Sequence, residues 1–130
     1  MNVLRLDTVF LFVSDLERSR DFYQKVLGVE PTHHREGMMA EFQVGETHLR
    51  LHSDANATWL PAGAKKGVGL GLHLGVVGID EHWQRLQTLG VPLPEEPTVL
   101  HTGIRKFAMK DPDGYEVEFV EPPATLIEHP

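Results

Sequence analysis

Thr8-Val9-Phe10-Leu11-Phe12-Val13-Ser14-Asp15 and His73-Leu74-Gly75-Val76-Val77-Gly78-Ile79-Asp80 carry one pattern twice, 65 residues apart from Thr8 to His73. In each copy a short apolar run gives way to a small residue and an aspartate, the mark of a buried strand that enters a helix. The first strand is expected over 6–13. Ser14 and Glu17 stand at capping-box spacing, with Leu16, Phe22, Tyr23, Val26 and Leu27 at helical intervals behind them and Gly28 as the stop. The second copy predicts a strand over 70–77 and a helix over 80–89. That helix turns Trp83, Leu86 and Leu89 inward and ends at Gly90.

Each strand–helix pair is followed by further strands. Met38 to Val44 and Thr47 to His52 flank Gly45-Glu46, a two-residue hairpin turn with glycine first. On the second of these strands His48, Arg50 and His52 share one face, and Leu49 and Leu51 share the other. In the second copy a strand over 104–110 meets the turn Asp111-Pro112-Asp113-Gly114. The strand 115–120 then closes the chain, with Glu116 and Glu118 on one face. Leu49-Arg50-Leu51 answers Val117-Glu118-Phe119, 68 residues from Arg50 to Glu118, so positions 8 and 73 read as equivalent, as do 50 and 118. The expectation is one α+β domain built from a module at 1–53, a connection at 54–69, a second module at 70–122 and an extended tail at 123–130. Neither half buries its sheet alone, so the two should pack about a pseudo-two-fold axis.

Composition narrows the function. Twelve Lys and Arg against 19 Asp and Glu give a net charge of −7 over 130 residues, which argues against nucleic acid and anionic membranes as partners. The chain has no cysteine, and therefore no disulfide, thiolate nucleophile or Cys-based zinc site. No segment reads as a targeting signal or a membrane span, and the expected location is cytoplasmic. The glycines at 67, 69, 71 and 75 run into a strand rather than opening a helix, unlike a phosphate loop.

The stretch Val13-Ser14-Asp15-Leu16-Glu17-Arg18-Ser19 leading into Phe22-Tyr23 and Leu27-Gly28, with the ending Asp111-Pro112-Asp113-Gly114-Tyr115-Glu116-Val117-Glu118, resembles the vicinal oxygen chelate superfamily. That superfamily includes glyoxalases, extradiol dioxygenases, fosfomycin-resistance transferases and bleomycin-resistance proteins. The resemblance implies two tandem βαβββ modules whose mixed sheets curl around a cavity, with the helices outside. It places metal ligands on the first and last strand of each module, which here are positions Thr8, Arg50, His73 and Glu118. His73 and Glu118 suit a divalent metal. Thr8 is a poor replacement for the usual histidine, and Arg50 never deprotonates and repels a cation. The metal site so implied is incomplete, and an Arg50–Glu118 ion pair is the expected substitute for the metal's charge.

Thr8, Phe10, Arg50, His52 and Trp59 are the expected ligand-binding residues, and His73 and Glu118 the expected catalytic ones. Each has a plainer reading. His73 lies on an apolar strand, where a hydrogen-bonded structural histidine is common, and Glu118 suits a half-exposed sheet face. His52 beside His73 and Glu118 would complete a two-histidine, one-carboxylate set. Trp59 serves as a lid on the ligand or as a dimer contact. His33-His34 read as a solvated turn, and Tyr23 and Trp83 as core. Three functions follow: a small-molecule-binding homodimer of the bleomycin-resistance kind, a metal-dependent lyase, isomerase or dioxygenase, and a metal-free enzyme with Glu118 or His73 as general base.

Overall fold

The computed structural model describes residues 1–56, 60–61 and 63–123. Trp59 and the tail beyond Pro123 lie outside them. The chain divides into two compact units, Met1–Lys66 and Gly67–Pro130.

The first unit runs β1 (Thr8–Val13), α1 (Leu16–Leu27), β2 (His33–Arg35), β3 (Met39–Val44) and β4 (Thr47–Ser53), with a turn of 3-10 helix at Asp54–Asn56. Its sheet has the order β1-β4-β3-β2, and β1 runs parallel to β4. The second unit runs β5 (Gly71–Gly75), α2 (Ile79–Thr88), β6 (Thr98–Val99), β7 (Arg105–Lys110) and β8 (Glu116–Glu121). Its order is β5-β8-β7-β6, with β5 parallel to β8. Each unit is a βαβββ module, and the chain is α+β. None of the described helices is long and apolar enough to cross a membrane.

Period-two alternation builds both cores. Leu11, Val13, Ala40, Phe42, Leu49 and Leu51 are buried on one face of the first sheet, and Leu16, Phe22, Tyr23 and Val26 are the buried residues of α1. Phe22 and Tyr23 meet edge to face, 5.0 Å apart. In the second unit Phe107, Met109, Val117 and Phe119 are buried with Ile79 and Leu86 of α2, and Phe107 stacks on Phe119 at 4.9 Å.

The helix caps differ from the expected ones. Asp15, not Ser14, is the N-cap of α1: it has extended backbone and its carboxylate accepts the Arg18 N–H at 3.2 Å. A full negative charge suits the positive end of a helix better than a hydroxyl does, and this moves the cap one residue onward. Gly28 closes α1 as expected, at φ 71°, and donates its N–H to the Gln24 carbonyl. α2 has Gly78 at its N-cap and no side-chain cap of its own. Glu121 of β8 supplies one instead, and its carboxylate accepts the N–H groups of Gly78 at 2.8 Å and Ile79 at 3.1 Å.

Other expectations shift at element edges. His33-His34 are not a turn but lie in β2, paired antiparallel with β3. Alternation is too short there to show in three exposed residues. Leu89 is exposed rather than inward because α2 ends at Thr88. Trp83 is half-buried, and its indole N–H donates to the Glu95 carbonyl. The Gly45-Glu46 hairpin forms as read, with Val44 opposite Thr47 and Gly45 at φ 59°.

The Asp111 turn shows how side-chain chemistry fixes a strand entry. Asp111 is buried, and its Oδ1 accepts the N–H groups of Asp113 and Tyr115, both at 2.9 Å. Asp111→Ala leaves two amides without their acceptor and should cost about 2–3 kcal/mol, read as a lower midpoint in urea with an unchanged slope.

Candidate functional site

Burial of Leu49 and Leu51 beneath α1 sends His48, Arg50 and His52 of β4 to the opposite face of the first sheet. The antiparallel ladder sets Glu41 of β3 directly across from Arg50, and β2 sets His33 across from Glu41. Three basic side chains thus surround one carboxylate. Glu41 is only 8% exposed at its side chain. Its Oε1 accepts the Arg50 Nε–H at 2.7 Å, and Arg50 Nη2 forms an ion pair with the same oxygen at 2.7 Å. Its Oε2 faces His33 Nδ1 at 3.5 Å and His48 Nδ1 at 3.6 Å. On the other side the Phe10 ring lies 5.0 Å from the Arg50 guanidinium carbon, a cation–π contact.

Arg50 is gripped side-on by a single oxygen. Its Nη1 edge has no partner among the described residues, and the side chain is 36% exposed. Fork-shaped donors of this kind bind a carboxylate or phosphate through two parallel hydrogen bonds. Thr8 is already occupied: its hydroxyl donates to Asp7 at 2.8 Å and thereby helps hold the Asp7 carboxyl below its ordinary value. His52 Nδ1 lies 3.0 Å from the Ser53 carbonyl, and its ring tilts against Phe12.

In the second unit His73 pairs with Glu118 across the parallel ladder, Nδ1 to Oε2 at 3.4 Å. Lys106 reaches the other carboxylate oxygen at 3.6 Å. Glu118 is 13% exposed and His73 59%. Arg50 and Glu118, expected to pair with each other, each have a charged partner within their own unit. Cross-strand geometry decides this, because a residue directly opposite lies within reach with no chain movement.

The ladders also correct the repeat. Arg50 lies opposite Phe10, whereas Glu118 lies opposite His73. If 50 matches 118, the match of His73 is Phe10 and not Thr8. If Thr8 matches His73, the match of Glu118 is His48. The two equivalences read from the sequence do not hold together.

A third feature lies at the start of α2, where Val77, Gly78, Glu81, His82 and Arg85 line a cleft of about 310 Å³. Burial holds the His82 imidazole below its ordinary value, and the nearby Arg85 charge adds to this.

Sequence reasoning missed Glu41. The signal was present, since a single carboxylate stands between Ala40 and Phe42 in an apolar strand that pairs with the basic face of β4. Trp59 lies outside the described residues, so its expected role has no structural counterpart.

An α+β chain of two βαβββ units with polar residues on the face away from each helix defines a class of fold. A family model described as the Glyoxalase/Bleomycin resistance protein/Dioxygenase superfamily matches residues 5–119, and the chain belongs to that superfamily. Among solved structures it is similar to a glyoxalase/bleomycin resistance protein from Catenulispora acidiphila, at 26% identity over 92% of this chain and 100% of that one, with a TM-score of 0.71. A superfamily member from Sphaerobacter thermophilus is 26% identical over 92% and 98% of the two chains, with a TM-score of 0.74. Lactoylglutathione lyase from Agrobacterium tumefaciens, 24% identical over 99% and 100% with a TM-score of 0.71, shares the fold. No curated protein matches the chain.

The Glu41–Arg50 pair makes a stability prediction. Arg50→Leu strands a nearly buried carboxylate and should cost about 2–3 kcal/mol, less than for a fully buried pair because Arg50 is partly exposed. Adding Glu41→Leu to it should recover most of that loss, with both variants compared by urea denaturation in a double-mutant cycle.

Proposed function

We propose that this protein binds a small anionic molecule on the polar face of its first sheet without a metal, with Arg50 as the principal anchor and Phe10 beside it. The observation that carries the reading is the Arg50 guanidinium: a permanent cation held on one edge by Glu41, with no partner for its Nη1 edge among the described residues. A divalent metal does not fit these residues. Arg50 repels it, the Thr8 hydroxyl is spent on Asp7, and among the described residues no three His, Asp or Glu side chains converge into a metal-binding group. His52 and the ring of Phe10 flank Arg50 and suit the apolar or planar remainder of such a ligand.

A second reading has one observation of its own. The His73–Glu118 contact places a carboxylate against Nδ1, an arrangement that orients an imidazole and supports it as a general base at Nε2. On that reading the protein is a metal-free enzyme, with a homodimer as the expected assembly.

A thermal-shift panel of small carboxylates and phosphates tests the first reading. A ligand at ten times its Kd adds about 1.4 kcal/mol and should raise the melting temperature by about 4–6 °C, and Arg50→Gln should abolish the rise. Stoichiometric tight binding of Zn²⁺, Mn²⁺ or Ni²⁺ by calorimetry would overturn it. A turnover that His73→Gln removes, with ligand affinity kept, would favour the second.

A further inference from the structure

We propose that Arg35 is a second anchor on the polar face of the first sheet, and that the ligand taken there is a short dicarboxylate held between Arg50 and Arg35. The inference rests on the binding reading above and narrows its ligand from an anion to a dianion.

The placement of Arg35 follows from register. β2 ends at Arg35, which lies opposite Met39, two residues along from the pairing of His33 with Glu41. His33 turns toward the Glu41 carboxylate, so Arg35 projects from the same face, because side chains two apart on a strand share a side. His34 between them points the other way and reaches Glu17 of α1 at 2.9 Å. Arg35 therefore belongs to the face that holds Arg50, two strands away across β3. Two strand spacings sideways and two residues lengthwise set the two Cα atoms about 12 Å apart. Two side chains as long as arginine's close most of that gap from both ends. What is left suits a chain of a few carbons with an anionic group at each end.

The charge on this face favours a dianion. Its strands carry Arg35, Arg50, His33, His48 and His52 against a single acid, Glu41, in a chain whose net charge is −7. Arg50 gives one edge to Glu41, and that pair is neutral as a unit. Arg35 differs: it is exposed, and among the described residues its guanidinium has no ion-pair partner. A monoanion docked on Arg50 leaves that charge unanswered, whereas a dicarboxylate meets both guanidinium forks. A ligand spanning them crosses β3 between Glu41 and Met39, and the half-buried Met39 side chain gives its methylenes an apolar contact. Only the pairing of β2 with β3 brings Arg35 onto this face, which is why the sequence did not show it.

The test measures succinate, glutarate and adipate against valerate, a monoacid of the same chain length as glutarate, by calorimetry on the full chain at one ionic strength. At least one diacid should bind about fivefold tighter than valerate, as an exposed second cation provides, and the ratio should shrink in high salt. Arg35→Gln should bring that diacid to within about twofold of valerate, the statistical factor for two equivalent ends, and leave valerate itself unchanged. Arg18→Gln, which removes the same charge from the exposed side of α1, should keep the ratio of the parent. Valerate bound by the parent to within about twofold of every diacid overturns the second anchor and leaves the Arg50 reading standing. A diacid preference that survives Arg35→Gln, or that Arg18→Gln removes equally, belongs to another site or to overall charge and also overturns the proposal. Binding of none of these acids removes the second anchor together with the carboxylate reading beneath it.

Discussion

Leu49 and Leu51 lie under α1 only if their neighbours on β4 turn the other way. This period-two constraint settles more than the core. It sets His48, Arg50 and His52 on the face away from the helix, and the two neighbouring strands decide what they meet. β1 brings Phe10 to one side of Arg50 and β3 brings Glu41 to the other. A carboxylate in so enclosed a position is costly without a cation, and Arg50 answers it with a hydrogen bond from Nε and an ion pair from Nη2 on one oxygen. The polar cluster is a by-product of how the hydrophobic face is filled.

The second unit obeys the same constraint and arrives at different chemistry. Val117 and Phe119 are buried, which sends Glu116 and Glu118 outward. The residue across the antiparallel ladder from Glu118 is Ala108, where Arg50 has Glu41. Glu118 therefore has no charged partner directly opposite on that side and is held instead by His73 from the parallel side and by Lys106 from two residues along β7. One backbone frame thus carries an acid ringed by bases in one half and an acid between an imidazole and a lysine in the other. Shared architecture does not transmit the chemistry of a site.

The elements with many repeats of their pattern were legible in the sequence. α1 has three turns of apolar spacing and a glycine stop, and the Gly45 hairpin has a turn that only a few residues satisfy. The two-residue strand β6 and the three-residue β2 offer no period to detect. The N-terminus of α2 was hidden for another reason: its cap is Glu121, 43 residues away from Gly78, and no local motif announces a cap supplied by a distant strand. Candidate site residues were legible as a face, because alternation gives the face directly. Their partners were not, since partnership depends on register. The offsets of 65 and 68 read from the two repeats look nearly constant along the sequence. A discrepancy of two residues in a ladder keeps every side chain on its proper face and so leaves the hydrophobic pattern undisturbed. That is why the pattern supported pairing Thr8 with His73 while the strands pair otherwise.

Stability alone gives no reason for Glu41 and Arg50 to face each other. Two apolar residues of similar size would fill the same space without taking charges out of water, and such replacements are often neutral or favourable. The side-on grip also leaves half of the guanidinium fork unspent, where a purely structural pair would gain most by using both edges on both oxygens. His48 adds a buried nitrogen with no hydrogen-bond partner among the described residues, a further cost that packing does not repay. Three departures from the cheapest arrangement meet at one carboxylate, and packing alone accounts for none of them.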